Sequence, residues 1–290
     1  MSNPLNLFNT PLKLRTLSSG SCRQLEKFLR KNGKWRAIQI PALFTYIEHP
    51  TYGSILFDTG YSPHFYKATK RMPYAFYRYI TPVSINEDNT ASEQLKQIDV
   101  QSEAIQYIIL SHFHADHIGA LKEFPNAKFI YLQASYDMVK NRNRFSQTKA
   151  GFVPGLLPKD FVERSLPIDE ERTVSLPISF PFKRGLDIMG DGSIIAVDLP
   201  GHAAGQIGIL LATKDQKYFL CADGVWESNA FKKAIPPHWL TNVIVDNRYE
   251  ARDTFARICT FHKNHPEFCI IPSHCREVWQ SIGEGELYVD

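Results

Sequence analysis

Short runs of apolar, β-branched residues alternate along this chain with turn-forming clusters. "WRAIQIPALFTYIEHPTYGSILFDTG" (35–60) holds two or three such runs, broken by Pro41 and by the turn signals Pro50 and Gly53. "SILFDTG" reads as a buried strand ending in a polar turn at Asp58-Thr59-Gly60. "IQYIIL" (105–110) is continuously apolar, the kind of strand buried on both faces. "GALKEFPNAKFIYLQ" predicts a helix, a turn and a strand at 128–132. From residue 192 the pattern runs strand "SIIAVDL", turn "PGHAAG", strand "QIGILLA", turn "TKDQ", strand "KYFLCAD". "YEARDTFARICTFHKNHP" then has helical spacing, with Ala251, Phe255, Ile258 and Cys259 on one face. "EFCIIPSH" closes the series as a last strand. Strand, helix, strand order predicts a layered α/β fold, read as one domain over 1–290.

There is an internal echo. "SILFDTG" resembles "KYFLCADG", and "YIILSHFH" resembles "FCIIPSHC". Each half places polar residues just beyond the carboxyl end of an apolar strand, where α/β folds tend to bind ligands.

Two segments break the pattern. Residues 61–98 begin "YSPHFYKATKRMPYAFYRYITP", aromatic and basic with internal prolines, and end in a helix predicted over 91–98. Residues 136–190 carry Pro154, Pro158, Pro167, Pro177 and Pro181 and read as irregular. Both are expected to be insertions serving as a lid or a homodimer arm, since aromatics and Arg are enriched at interfaces. Phe65 and Tyr66 are candidate pocket residues. Interleaved aromatics and cations also suit single-stranded nucleic acid. However, 33 basic against 30 acidic residues leave a net charge of only +3, so no nucleic-acid partner is expected.

No run approaches the ~18 apolar residues of a spanning helix, and the N-terminus has no apolar signal-peptide core. A cytoplasmic protein without a membrane partner is the expectation. Cys22, Cys221, Cys259, Cys269 and Cys275 match no disulfide framework or CxxC zinc site and read as reduced, mostly buried thiols.

The chemistry concentrates in "ILSHFHADHIGA" (109–120). His112, His114, Asp116 and His117 spell HxHxDH directly behind an apolar strand. Burying three imidazoles and a carboxylate there costs several kcal/mol unless something pairs with them. Imidazole and carboxylate suit zinc, and also iron or manganese. Four ligands in six residues exceed what one tetrahedral ion with an open position needs, so the spacing suggests two ions. Further ligands follow at the ends of later strands: His202 in "LPGHAAG", Asp223 after "YFLCA" and His274 after "CIIPS". Singly, a histidine at a strand end is usually a solvated loop residue, and Asp223-Gly224 is usually a turn. Together with the 112–117 cluster they fit one pattern.

These motifs, with the Asp58 turn and "PGH" at 200–202, resemble the metallo-β-lactamase-fold hydrolases over roughly residues 36–275. The resemblance implies a four-layer αββα sandwich with the site along one edge. It implies His112, His114 and His202 on a first metal, Asp116, His117 and His274 on a second, Asp223 bridging, and Asp58 orienting a ligand from behind. It further implies a metal-bound hydroxide as nucleophile on an ester, lactone, amide or phosphoester, with Asp116 able to carry the proton to the leaving group.

"QIPALFTYIEHPTYGSILFDTG", "ILSHFHADHIGA" and "DLPGHAAGQIGILL" look most like the N-acyl-homoserine lactonase branch. That branch commonly carries a tyrosine three residues after the bridging aspartate. Here the position is Trp226, which has one N–H donor and no acidic hydroxyl. Tyr249 is a spatial substitute to be checked. The expected substrate is a small-molecule lactone or related ester. Phosphodiester or organophosphate hydrolysis is the runner-up, followed by a di-iron redox protein and a non-catalytic metal binder.

Overall fold

The computed structural model describes residues 7–283 and 288–289. A first sheet holds β1 (Lys13–Leu25), β2 (Ala37–His49), β3 (Gly53–Phe57), β4 (Val83–Ser84), β5 (Ile105–Ile109), β6 (Lys128–Tyr131) and β7 (Ser165–Pro167). A second holds β8 (Thr173–Val174), β9 (Gly185–Asp187), β10 (Ile195–Asp198), β11 (Ile207–Ala212), β12 (Lys217–Ala222) and β13 (Phe268–Pro272). A final strand, β14 (Tyr288–Val289), pairs with β1. The strand orders are β14-β1-β2-β3-β5-β6-β7, with β4 also on β1, and β13-β12-β11-β10-β9-β8.

The layers follow from where the apolar side chains go. Alternate residues of each strand face opposite ways. Ile55, Phe57, Ile109 and Ile130 of the first sheet meet Ile209, Leu211, Leu220 and Ile271 of the second in one cluster. Their neighbours Leu56, Ile108 and Phe129 face out against α1 (Glu26–Leu29), α2 (His64–Ala68), α3 (Tyr74–Ile80) and α4 (Ala91–Lys96), with α5 (Gln133–Lys140) and α6 (Arg144–Lys149) on the same side. Ile195, Leu210, Phe219 and Ile270 face α7 (Ser228–Lys232) and α8 (Arg248–Asn264). Helix α9 (Arg276–Gly283) follows β13. The result is the four-layer αββα sandwich. Each fully buried Ile or Leu contributes roughly 1.5–3 kcal/mol.

The internal echo has a structural counterpart. β3 and β5 form a parallel pair in one sheet, and β12 and β13 form the other's only parallel pair among the described residues. In each pair an aspartate follows the first strand and a histidine the second: Asp58 and His112, then Asp223 and His274.

Several local expectations are corrected. Pro41 does not break its run. It lies inside the 13-residue β2, opposite a register shift between Ser18 and Ser21 of β1 that accommodates its missing N–H. β1 itself, Ser-rich and half polar, was not anticipated. Residues 136–190 are not irregular throughout. They carry most of α5, all of α6, and β7, β8 and β9. β7 and β8 are edge strands of two or three residues, where proline is tolerated. The helix expected after the histidine cluster shrinks to one 3-10 turn at Leu121–Glu123, just ahead of Pro125. On α8 the buried residues are Thr254, Ile258 and Phe261, whereas Ala251, Phe255 and Cys259 are half-buried. All five cysteines are free thiols. Among the described residues no helix is long and apolar enough to cross a membrane.

Two buried histidines, His49 and His265, lie outside the motifs. His49 Nδ1 accepts the backbone N–H groups of Thr51 (3.1 Å) and Tyr52 (3.2 Å), while Nε2 faces Ser193 Oγ at 3.0 Å and Asp191 at 3.1 Å. Burial lowers its pKa, against the opposing pull of Asp191. The unfolded chain therefore takes up this proton first as pH falls. His49 contributes stability that is full above about pH 6.5 and declines below it. Urea midpoints for the wild type and His49→Gln should diverge at neutral pH and converge towards pH 5. Parallel curves would refute this.

Candidate metal centre

The site sits where the two parallel pairs end. Phe57 leaves β3 into Asp58, which has φ 59°, and β12 ends at Ala222 with φ 46° before Asp223. Left-handed backbone at two non-glycine residues is costly and tends to persist where it positions function. His202 hangs from the β10–β11 turn, held close to α8 by Gly201. With φ 120°, a Cβ there would lie 2.0 Å from the Ala251 nitrogen. Only glycine fits.

The structure brings all seven predicted ligands together. Ligand atoms of His112, His114, His202 and Asp223 lie within 4.8 Å of one another, as do those of Asp116, His117 and His274. Asp223 touches both sets. Its Oδ2 is 3.1 Å from His202 Nε2 and 3.2 Å from His274 Nε2, and its Oδ1 is 3.5 Å from His117 Nε2. Asp116 Oδ2 lies 3.3 Å from His274 Nε2.

Behind these atoms a second layer sets the imidazole tautomers. Asp58, fully buried, accepts the Ser111 backbone N–H (2.8 Å), the Ser111 hydroxyl (2.8 Å) and His117 Nδ1–H (2.7 Å). Because the Ser111 hydroxyl donates to Asp58, it accepts from His112 Nδ1–H at 2.9 Å. His274 Nδ1–H donates to the Pro41 carbonyl at 2.7 Å. In all three, Nδ1 is held as a donor, which leaves Nε2 as the atom aimed inward to take a metal, the arrangement a metal-binding histidine needs. Ser111 is the hub that sequence reading missed. Its position between "IIL" and the first histidine was the available signal.

Electrostatics agree with a cationic guest. Burial and neighbouring imidazoles hold His112 and His114 well below the usual histidine pKa. Burial opposes charge on His117 and His274 as well. There the carboxylates win: Asp58, Asp116 and Asp223 raise His117 well above its ordinary value, and Asp223 and Asp116 raise His274 to about 9. Burial likewise works against the Asp223 carboxylate, but His274, His117 and His202 hold its pKa well below normal. Even so, His112 Nε2, His117 Nε2 and Asp223 Oδ1 are buried with no hydrogen-bond partner. Buried polar atoms are rarely left unpaired, and divalent cations between these two sets would satisfy them.

A cavity of about 620 Å³ opens onto the cluster, reaching His114, Asp116, His202, Asp223 and His274. Its walls are apolar, among them Phe28, Ile40, Tyr61, Phe76, Tyr77 and Ile80. Trp226 also lines it, with its N–H donating to Asp223 Oδ2 at 3.2 Å and its ring edge-on to His202 at 5.6 Å. Its one donor is therefore spent on the aspartate. Phe65 and Tyr66 are not among the lining residues. Phe65 points into the core behind Tyr61 and Tyr77, with ring distances of 5.3 and 5.7 Å, and Tyr66 is tied outside the cavity by its hydroxyl donating to the Val83 carbonyl. Tyr249 is exposed, bonded to Arg248, and no substitute at this site.

This fold, with paired His/Asp ligand sets at one edge, defines a class. Residues 41–258 match the model of the metallo-beta-lactamase superfamily, and the chain belongs to it. Among its relatives is the N-acyl homoserine lactonase AttM of Agrobacterium fabrum, 22% identical over 287 residues that cover 96% of this chain and 99% of the relative. Another is the probable metallo-hydrolase Rv2300c of Mycobacterium tuberculosis, 23% identical over 79% of this chain and 73% of the relative. Among solved structures, an N-acyl homoserine lactone hydrolase with its product N-hexanoyl-L-homoserine at the catalytic metal centre superposes with a TM-score of 0.67. It is 18% identical and covers 94% of this chain and 96% of that one. The protein is a metal-dependent hydrolase of this superfamily.

Proposed function

We propose that the chain hydrolyses a lactone or related carboxylic ester bearing an apolar acyl chain, with N-acyl-homoserine lactones the first candidates. The observation that carries this is the apolar cavity of about 620 Å³ ending on the ligand cluster. The relatives named as lactonases support the same bond type.

His112, His114 and His202 would hold one divalent cation, and Asp116, His117 and His274 a second, with Asp223 spanning both. Zinc suits this donor set, with iron or manganese as alternatives. When bound, such a pair supplies activated water at neutral pH and polarises the substrate carbonyl. The chain's own residues do the rest. The apolar walls hold the acyl group and exclude water around the scissile bond. Asp116 lines the cavity and is placed to carry a proton to the leaving oxygen. Trp226 positions Asp223 through its N–H and packs on His202, acting on substrate by shape alone.

Acyl length is the direct test. Each buried methylene is worth about 0.8 kcal/mol, so kcat/KM should rise roughly threefold to fourfold per methylene until the cavity is filled. A series of homoserine lactones from butanoyl to decanoyl, assayed with zinc-, manganese- and iron-loaded protein, reads this out. A flat profile would remove the acyl assignment.

One observation favours the phosphoester reading. A second cavity of about 510 Å³ shares His202, Asp223 and Trp226 with the first and is lined by Lys31, Arg248 and Arg252, with Asp223 the one carboxylate among its lining residues. An aryl phosphodiester assayed beside the lactones separates the two.

A further inference from the structure

We propose that the mouth of the apolar cavity docks on an anionic lipid surface, from which the cavity draws an amphiphilic substrate. Met72, Phe76, Tyr79, Ile80, Phe145 and Val243 are each 52–73% exposed. All but Tyr79 line the cavity, and Tyr79 lies on the same short helix, α3, as Phe76 and Ile80. Three separate segments thus converge on one apolar rim. Contiguous exposed apolar surface of this kind marks an interaction site.

The charge around the rim selects the partner. From Tyr61 to Asn86 there is no Asp or Glu, and Lys67, Lys70 and Arg71 are exposed just ahead of Met72. Arg144 and Lys149 are exposed on either side of Phe145. None of these five cations is ion-paired to a carboxylate among the described residues, whereas the nearby Lys140 is paired to Asp137. Exposed apolar side chains flanked in sequence by exposed cations without carboxylate partners fit an anionic bilayer, which takes up the former and attracts the latter. A second copy of the chain fits less well. A two-fold contact would set the same patch against itself and bring these cations together. The expectation of no membrane partner rested on the absence of a spanning helix, which does not bear on peripheral docking.

The docking stands whatever bond the site cuts. Only the delivery of substrate rests on the proposed function. The full-length protein is sedimented with vesicles of phosphatidylcholine alone and of phosphatidylcholine with phosphatidylglycerol. It should partition onto the anionic vesicles alone, and salt should release it. Lys67→Glu/Lys70→Glu should lower partitioning on the order of tenfold or more, and Tyr79→Ser should lower it too. None of these residues lines the cavity, so both variants should keep wild-type hydrolysis of a water-soluble short-chain ester. Failure to bind anionic vesicles, equal binding to both vesicle types, or a solution dimer that buries Tyr79 would overturn the proposal. An inactive protein that still binds anionic vesicles would sink the ester reading and leave the docking intact.

Discussion

Asp223→Ala is expected to abolish hydrolysis, by at least about a thousandfold, and to empty both metal positions while most of the fold survives. A supporting residue behind a metal ligand typically costs 10–100-fold. Asp223 is more than that, because its two oxygens face His202, His274 and His117 within 3.5 Å. Without it the two ligand sets share no common anion, and the positive charge that His117 and His274 attract loses its nearest counterweight. His112→Ala removes a ligand from one set only, so it should leave about one metal per chain with comparably little activity. Chelation of the wild type should match Asp223→Ala and be reversed by adding zinc or manganese. Metal counts by elemental analysis, circular dichroism and ester hydrolysis on the same samples give the answer. Full activity in metal-free protein would rule out the assigned chemistry.

How much of this was legible in the chain depends on the range of the interaction. Asp58, His112, Asp223 and His274 each follow an apolar strand, and HxHxDH is contained in six residues. Such signals are local, and strand ends carry them to one edge whatever the loops do. The cavity is different. Phe28, Tyr77 and Phe145 meet only because α1, α3 and α6 pack above the first sheet, and no window of sequence contains that. Phe65 and Phe76 illustrate the limit. Both are aromatics in one basic segment, yet Phe65 is fully buried behind the wall and Phe76 forms part of it. Helix phase separates them, and two helices of five and seven residues are too short for periodicity to reveal it. β1 was missed for a related reason. Its buried positions include Thr16, Ser18, Ser19 and Ser21, so its pattern is not one of apolar residues. Trp226 could be located in sequence, but its orientation required the structure.

Asp58→Asn tests whether tautomer control is what that buried aspartate does. The carboxylate accepts three hydrogen bonds: Oδ1 from the Ser111 N–H, and Oδ2 from the Ser111 hydroxyl and from His117 Nδ1–H. Asparagine keeps the shape and tolerates the left-handed backbone at φ 59°. It has one acceptor arm where two are needed. If its oxygen faces the Ser111 N–H, its amide faces His117 Nδ1, which must then accept, and the ring proton moves to Nε2. If it is turned over, its amide meets the Ser111 N–H, donor against donor, at a cost of about 1–3 kcal/mol. In the first and cheaper arrangement His117 presents an N–H where the second metal needs a lone pair. The Ser111 hydroxyl, released from Asp58, no longer has to accept from His112, so the first set loosens as well. Metal affinity should therefore fall about 10–100-fold, with hydrolysis falling in step and recovering at high metal concentration. The unfolding midpoint should move little. Asp58→Ala should lose both affinity and stability, because it leaves the Ser111 N–H unpaired in the core and gives His117 Nδ1–H the Ser111 hydroxyl at 3.2 Å in place of a carboxylate. A metal titration and a urea melt on each variant separate the two effects. Unchanged metal affinity in Asp58→Asn would show that His117 is oriented by packing instead.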